Sequence, residues 1–198
     1  MPVGFFVIVQ GYSPSLLGQA VFVKQFLSFS LPSGQFWVMI GENQPTKGDI
    51  MRIAIGSDHA GFQLKEYIEE YLTSMGHEPI DCGAHTADST DYPIYAKKVC
   101  ELITGDDELE LGILICGTGA GISITANKIK GIRAVVCSDP LTARLAREHN
   151  NANVLAFGAR IVGNEMAKMI VREWLDASFD GDRHERRVGM IESLEQEG

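Results

Sequence analysis

From Met51 onward, short apolar runs alternate with longer stretches in which apolar residues recur every three or four positions. Ile53-Ala54-Ile55 is such a run, ending in Gly56-Ser57-Asp58. Leu64, Ile68, Leu72 and Met75 then step at the period of a helix with one buried face, and Gly76 is placed to close it. A weaker strand is predicted over residues 77–82, and a second helix from Tyr92 to Ile103 beyond a polar loop. Leu111–Cys116 is uninterrupted apolar sequence, as in a strand covered on both faces. A glycine-rich turn, Gly117-Thr118-Gly119-Ala120-Gly121, leads into a helix over residues 122–129, and residues 133–137 read as another buried strand. Ser138-Asp139-Pro140 is a helix start, with a capping carboxylate and a proline where no amide donor is needed. That helix runs to Glu148, Val154–Phe157 is the fifth strand, and a long helix covers residues 164–177. This alternation predicts a three-layer α/β/α, Rossmann-like domain around a five-stranded, mostly parallel sheet. Ligands in such sheets bind beyond the carboxyl ends of the strands.

Residues 1–50 follow no such pattern. They hold six of the nine Phe but only Lys24, Glu42, Lys47 and Asp49 as charges. Pro14, Gly18, Lys24, Pro32 and Gly34 interrupt every run, so none reaches the roughly 18 apolar residues of a membrane span. A secretory leader would carry a cation before its apolar core, and residues 1–9 carry none. Met51 makes a natural beginning, so residues 1–50 are expected to be an extension or translated sequence upstream of the true start. Residues 51–198 are expected to form the functional domain; they hold all five His and all four Cys.

The formal charge of −9 excludes a bulk electrostatic footprint for nucleic acid or an anionic membrane. A phosphate site must therefore be a local cluster of cations and backbone amides. Four cysteines without a regular framework in a 198-residue chain fit a reducing compartment, and a cytoplasmic protein is expected.

Several residues fall at the predicted ligand edge. Asp58 and His59 follow the first strand; a helix-capping role for Asp58 and a solvent-facing role for His59 are the structural alternatives. Cys116 ends the third strand beside glycines that let backbone amides converge, an arrangement suited to a phosphate or an oxyanion. Such surroundings favour a thiolate, as base or nucleophile. Cys82, Cys100 and Cys137 read as inert. A dinucleotide fingerprint would follow the first strand rather than the third, which argues against NAD. His149 and Asn150 end a helix; His149 is either a cation at a helix C-terminus or a general acid/base. Arg183 and Arg187 share one face if helical, as a phosphate clamp or as a salt-bridged surface with Glu185 or Glu192. Arg160 is a further ligand-edge cation. Cys82 and His85 have metal-like spacing, but no second pair completes a tetrahedral set, so no metal site is expected.

Taken together these residues form a recognisable set. Gly56-Ser57-Asp58-His59-Ala60-Gly61-Phe62, Thr90-Asp91-Tyr92-Pro93, Gly112 to Gly119 and Gly121-Ile122-Ser123 resemble the type B ribose-5-phosphate isomerases. Ala126-Asn127-Lys128, Arg147 to Asn150, Asn153 to Gly158 and Arg183-His184 continue in order. The likeness covers residues 51–195, and residues 1–50 have no counterpart. It implies a cofactor- and metal-independent sugar-phosphate isomerase. Cys116 would be the base moving a proton between C1 and C2, His149 would assist ring opening, and Asp58 would lie near the ring hydroxyls. Gly117, Gly119, Ala120 and Gly121 would supply amides to the enediolate, with Thr118 contributing a hydroxyl nearby. His59, Arg160, Arg183 and Arg187 would clamp phosphate and substrate, with Asn150 and Tyr92 lining the pocket. Some members place a glutamate where Ile122 stands; this chain resembles the cysteine type. The resemblance also implies a homodimer or dimer of dimers with shared sites. An allose- or galactose-phosphate isomerase, a non-catalytic sugar-phosphate sensor and a cysteine hydrolase are the alternatives. The last requires His149 within hydrogen-bond reach of Cys116.

Overall fold

The computed structural model describes residues 6–8, 25–31, 34–40, 50–106 and 109–195, with side chains from residue 50 onward. The chain divides into two compact units, residues 1–49 and 50–198. In the first, strands β1 (Phe6–Ile8), β2 (Gln25–Leu31) and β3 (Gly34–Ile40) form an antiparallel sheet in the order β1-β3-β2. The side chains of residues 1–49 lie outside the described residues.

The second unit is built from alternating strands and helices. These are β4 (Arg52–Ser57), α1 (Phe62–Ser74), β5 (Glu78–Asp81), α2 (Tyr92–Gly105), β6 (Leu111–Cys116), α3 (Ala120–Ala126) and β7 (Ala134–Val136). Then come α4 (Pro140–Asn150), β8 (Val154–Gly158), α5 (Asn164–Leu175) and α6 (Asp182–Leu194). The five strands pair in the order β5-β4-β6-β8-β7, every pair parallel. The order reverses at β4, where β5 lies on one side and β6 on the other. A crevice at the carboxyl ends of β4 and β6 follows from that reversal.

Strand alternation sorts the core into two layers. Ile53, Ile55, Ile113, Ile115, Leu155 and Phe157 face α1, α4 and α5, with Ile68, Leu72, Ile170 and Trp174 packed against them. Ala54, Leu114, Cys116, Val154 and Ala156 face α2 and α3, against Ala96, Val99, Ile122 and Ala126. Helices thus cover both faces, as the pattern predicts. Each fully buried Ile, Leu or Val contributes about 1.5–3 kcal/mol relative to exposure, which fixes the register of the central strands. All six residues of β6 are buried.

Local signals act where the sequence puts them. Asp139 accepts a hydrogen bond from the Thr142 amide at 2.8 Å and starts α4. Gly76, at φ +90°, follows the end of α1. The segment 133–137 departs from expectation. β7 is the outer strand beside β8, and Val136 is 42% exposed. Ala134 and Val135 still pack on the two core layers, and the exposure falls at Val136, because an outer strand has a neighbour on one side only. The last helix, α6, completes the unit by burying His184 and Val188, one turn apart.

Candidate active site

The carboxyl ends of β4, β6 and β8 bring one group of the expected residues together. Asp58 is buried, and its Oδ1 accepts from the amides of Ala60 and Gly61 at 2.9 and 3.1 Å. The capping role is therefore real, although the cap closes the turn before α1 rather than the helix N-cap itself. The Asp58 amide donates to the Ile115 carbonyl at 3.2 Å, tying this turn to the residue before Cys116. His59 is half-buried against the loop ahead of α2, its Nδ1 lying 3.2 Å from the Thr90 amide and 3.1 Å from the Thr90 carbonyl oxygen.

Cys116 closes β6, 3% exposed, and its Sγ accepts from the Gly119 N–H at 3.1 Å. That bond is stronger to a thiolate than to a thiol. Burial pushes the Cys82 thiol up to about 11 and the Cys100 and Cys137 thiols up to about 12, so all three stay protonated at neutral pH.

Gly119 takes φ +81°, and a Cβ there would lie 2.8 Å from the Phe157 carbonyl carbon, so only glycine allows the turn to rest on β8. A Cβ at Gly121 would lie 2.6 Å from Cζ of Tyr92; the phenol ring fills the space that glycine leaves. Arg160 sits over Gly117, its guanidinium carbon 3.5 Å from a Cβ built there, and its amide donates to the Gly117 carbonyl at 3.1 Å. Thr118 and Ala120 are exposed, and the Ala120 amide approaches Thr118 Oγ1 at 3.4 Å. Asp58, His59, Tyr92, Cys116 to Gly121 and Arg160 therefore occupy one edge of the sheet.

His149, Asn150, Arg183 and Arg187 do not join them within one chain, which corrects the placement of His149 and Asn150 at the carboxyl edge. α4 starts beyond the carboxyl end of β7 and returns across the sheet, a run of about 16 Å for its 11 residues. Its C-terminus reaches the amino edge. There the Asn151 carbonyl accepts from Arg133 Nε at 2.9 Å, and the Asn153 carbonyl accepts from the Gly112 amide at 2.9 Å. The Asp180 amide donates to the Glu148 carbonyl at 2.9 Å and brings the start of α6 to the same place. His149 stacks on His184, and its Nε2 lies 4.0 Å from Asp180 Oδ2. Its partners are these residues and not Cys116, so no cysteine–histidine pair of the hydrolase type forms among the described residues.

Arg183 and Arg187 lie exposed on the α6 stripe beside buried His184 and Val188. The salt-bridged-surface alternative fails for them: Glu192 pairs with Arg133 at 3.0 Å, and Arg183 Nε donates to His184 Nε2 at 3.1 Å. Among the described residues Arg160, Arg183 and Arg187 form no ion pair with a carboxylate. Burial, reinforced by His149, Arg183 and Arg187, holds His184 below the usual imidazole range.

Two carboxylate- or imidazole-rich clusters have metal-like proximity. The ligand atoms of His149, Asp180 and His184 lie within 4.8 Å of one another. The two rings are within 6° of parallel, so their nitrogen lone pairs lie in planes that do not meet on one ion. Glu66, Glu69 and Asp81 surround the Lys65 ammonium at 2.7, 3.1 and 2.9 Å, which already supplies the cation. Periodicity did not single out Lys65, which is fully buried on the inner face of α1, nor the roles of Asp180, His184, Thr90 and Tyr95. The i, i+4 pairing of His184 with Val188 is the one sequence signal that marks His184 as inward-facing.

The fold and this edge define a Rossmann-like α/β/α enzyme domain with a cysteine set in a glycine-rich turn. Residues 53–191 match the model of the Ribose/Galactose Isomerase family, and the chain belongs to that family. It is 55% identical over 145 residues to ribose-5-phosphate isomerase B of Escherichia coli (strain K12), covering 73% of this chain and 97% of that protein. The ribose-5-phosphate isomerase B structure from Clostridium thermocellum superposes with TM-score 0.73 at 50% identity, over 74% of this chain and 99% of that one. The Mycoplasma genitalium ribose-5-phosphate isomerase B, solved with bound ribulose 5-phosphate, superposes with TM-score 0.71 at 41% identity, over 75% and 98%.

Proposed function

We propose that this chain is a ribose-5-phosphate isomerase: an aldose–ketose isomerase that interconverts ribose 5-phosphate and ribulose 5-phosphate, a step of the pentose phosphate pathway. Its close similarity to ribose-5-phosphate isomerase B proteins supports the reaction. The observation that carries the chemistry is the Cys116 Sγ held 3.1 Å from the Gly119 amide at the switch point of the sheet.

The reaction moves one proton between adjacent carbons, so one base on one face of a cis-enediolate suffices. His149 assists opening of the furanose, with Asp58 near the ring hydroxyls. The Cys116 thiolate takes the C2 proton of the open aldose, and the electron pair passes to the carbonyl to give the enediolate. The same sulfur returns the proton to C1 while the O2 proton moves to O1, leaving the ketose. Amides of the 117–121 turn and the Thr118 hydroxyl stabilise the developing oxyanion. Two of these amides have partners within the chain: the Gly119 N–H serves the sulfur, and the Ala120 N–H meets Thr118 Oγ1 at 3.4 Å. The phosphate does not react; its binding by His59, Arg160, Arg183 and Arg187 holds the sugar within reach of the base, with Tyr92 and Asn150 lining the pocket.

The same reading gives a homodimer or dimer of dimers in the cytoplasm, in which His149, Asn150, Arg183 and Arg187 of one copy complete the Cys116 edge of the next. The separation of the two groups within one chain supports it, as does the lack of a carboxylate partner for Arg160, Arg183 and Arg187 among the described residues. Among the described residues, no helix is long and apolar enough to cross a membrane.

The test is a progress curve on ribose 5-phosphate with and without a chelator, run beside allose 6-phosphate and galactose 6-phosphate. Chelator-insensitive turnover of the pentose is expected. Faster turnover of a six-carbon phosphate would reassign the substrate within the family, and no turnover of any would remove the proposal.

A further inference from the structure

His59 is held through one nitrogen only. Its Nδ1 lies 3.2 Å from the Thr90 amide, a donor, and 3.1 Å from the Thr90 carbonyl oxygen, an acceptor. Among the described residues its Nε2 has no hydrogen-bond partner. Thr90 is braced in turn, its Oγ1 lying 3.0 Å from the Tyr95 hydroxyl. Tyr95 stands on the first turn of α2, with Lys98 Nζ 5.4 Å from its ring centroid. Its ring lies against Gly83, where a Cβ would come within 2.9 Å of Cε1. Tyr92, three residues earlier on the same helix, meets Gly121. One helical turn therefore holds both the glycine-rich turn and the loop that grips His59.

We propose that Thr90 and Tyr95 are positioning residues that keep the Nε2–H of His59 available to the substrate anion in both charge states of the ring. This rests on the sugar-phosphate reading above. When the imidazole is neutral, Nδ1 accepts from the Thr90 amide and the proton resides on Nε2. When it is protonated, Nδ1–H donates to the Thr90 carbonyl and Nε2–H is again a donor. The remaining tautomer, with Nδ1–H on the carbonyl, turns a bare Nε2 lone pair toward an anion and is repelled by it. A loop that offered only a carbonyl would favour that wrong tautomer. Thr90 offers both backbone groups, so His59 binds as a donor without first taking up a proton. It is a substrate-binding donor and not the proton acceptor of the reaction.

The test has two arms. In the first, long-range proton–nitrogen spectra of the wild-type protein are recorded in inorganic phosphate at a pH where the ring is neutral, with His59→Asn identifying the signal. The Nε2–H tautomer is expected; the Nδ1–H tautomer in saturating phosphate would overturn the proposal. In the second, Thr90→Val and Tyr95→Phe each remove the hydroxyl brace. KM for ribose 5-phosphate should rise about 3–10-fold, as for loss of one hydrogen bond, with kcat within about twofold. Thr90→Ser should restore the wild-type KM. A fall in kcat at unchanged KM, or failure of Thr90→Ser to rescue, would overturn the brace. Absence of pentose isomerisation by the wild type would remove the sugar-phosphate reading, while the spectra still decide how Thr90 sets the ring.

Discussion

The imidazoles of His149 and His184 lie face to face, centroids 4.2 Å apart and planes 6° from parallel, joining the end of α4 to the start of α6. His184 is the buried member and is held below the usual imidazole range by desolvation, then by His149 and the neighbouring arginines. A histidine whose folded value is lowered binds more protons when unfolded. Its stabilising share is therefore present above about pH 6.5 and is lost as pH falls toward the lowered folded value.

This relation predicts that thermal stability of the wild type declines between about pH 6.5 and more acidic conditions, measured by calorimetry at fixed ionic strength. His77, also lowered by burial, acts in the same direction. His184→Phe keeps a flat ring against His149 and removes the titration, so its stability profile should be flatter and its activity retained. His184→Ala removes the stack, and its kcat/KM should fall below that of the Phe variant. Equal activity of the two variants would mean that the stack does not position His149.

Cys116→Ala should abolish isomerisation, by about 10²–10⁴-fold in kcat, while leaving sugar-phosphate binding measurable by calorimetry. Near-normal turnover would reject the sulfur as base. Cys137→Ala, at a thiol pushed up to about 12 by burial, should change stability and not the reaction.

Arg187→Ala should mainly raise KM for ribose 5-phosphate, by about tenfold for one charge-assisted contact, with kcat changed little. Arg187 has no carboxylate partner among the described residues, so the loss should not appear as unfolding. An unchanged KM would return it to the solvated surface.

Gly119→Ala and Gly121→Ala should fail differently. At Gly119 a Cβ meets backbone of Phe157 and Gly158 in a left-handed conformation, so a loss of about 1–3 kcal/mol and a lowered melting temperature are expected. At Gly121 it meets the exposed Tyr92 ring, which can swing aside. That variant should keep its melting temperature and show a raised KM. The reverse pattern in thermal unfolding and kinetics would refute the packing argument.

A chain beginning at Met51 should fold and turn over ribose 5-phosphate like the full chain, because residues 50–198 form a compact unit of their own and the family match lies within it. An inactive or insoluble product would make residues 1–50 part of the working fold.

What the sequence determined by itself is local. Three- and four-residue spacing along Leu64, Ile68 and Leu72, the apolar run Leu111–Cys116 and the Asp139-Pro140 start are properties of neighbouring residues, and they placed the strands and helices to within a few positions. That holds for β4 to β8 and α1 to α5; α6 and the strands before residue 50 were not placed. The same local signals marked Cys116 and its glycines, since a strand end and a turn are short-range features. Only the tertiary structure decided where segments lie against each other. It made 133–137 an outer strand, because β8 inserts inside it, and put Lys65 in the interior among three carboxylates. It carried His149 and the α6 arginines to the amino edge, away from Cys116, because a helix linking parallel strands must cross the full height of the sheet. Spacing along a chain carries no record of that return, so the partners of a distant side chain emerge only once the sheet is assembled.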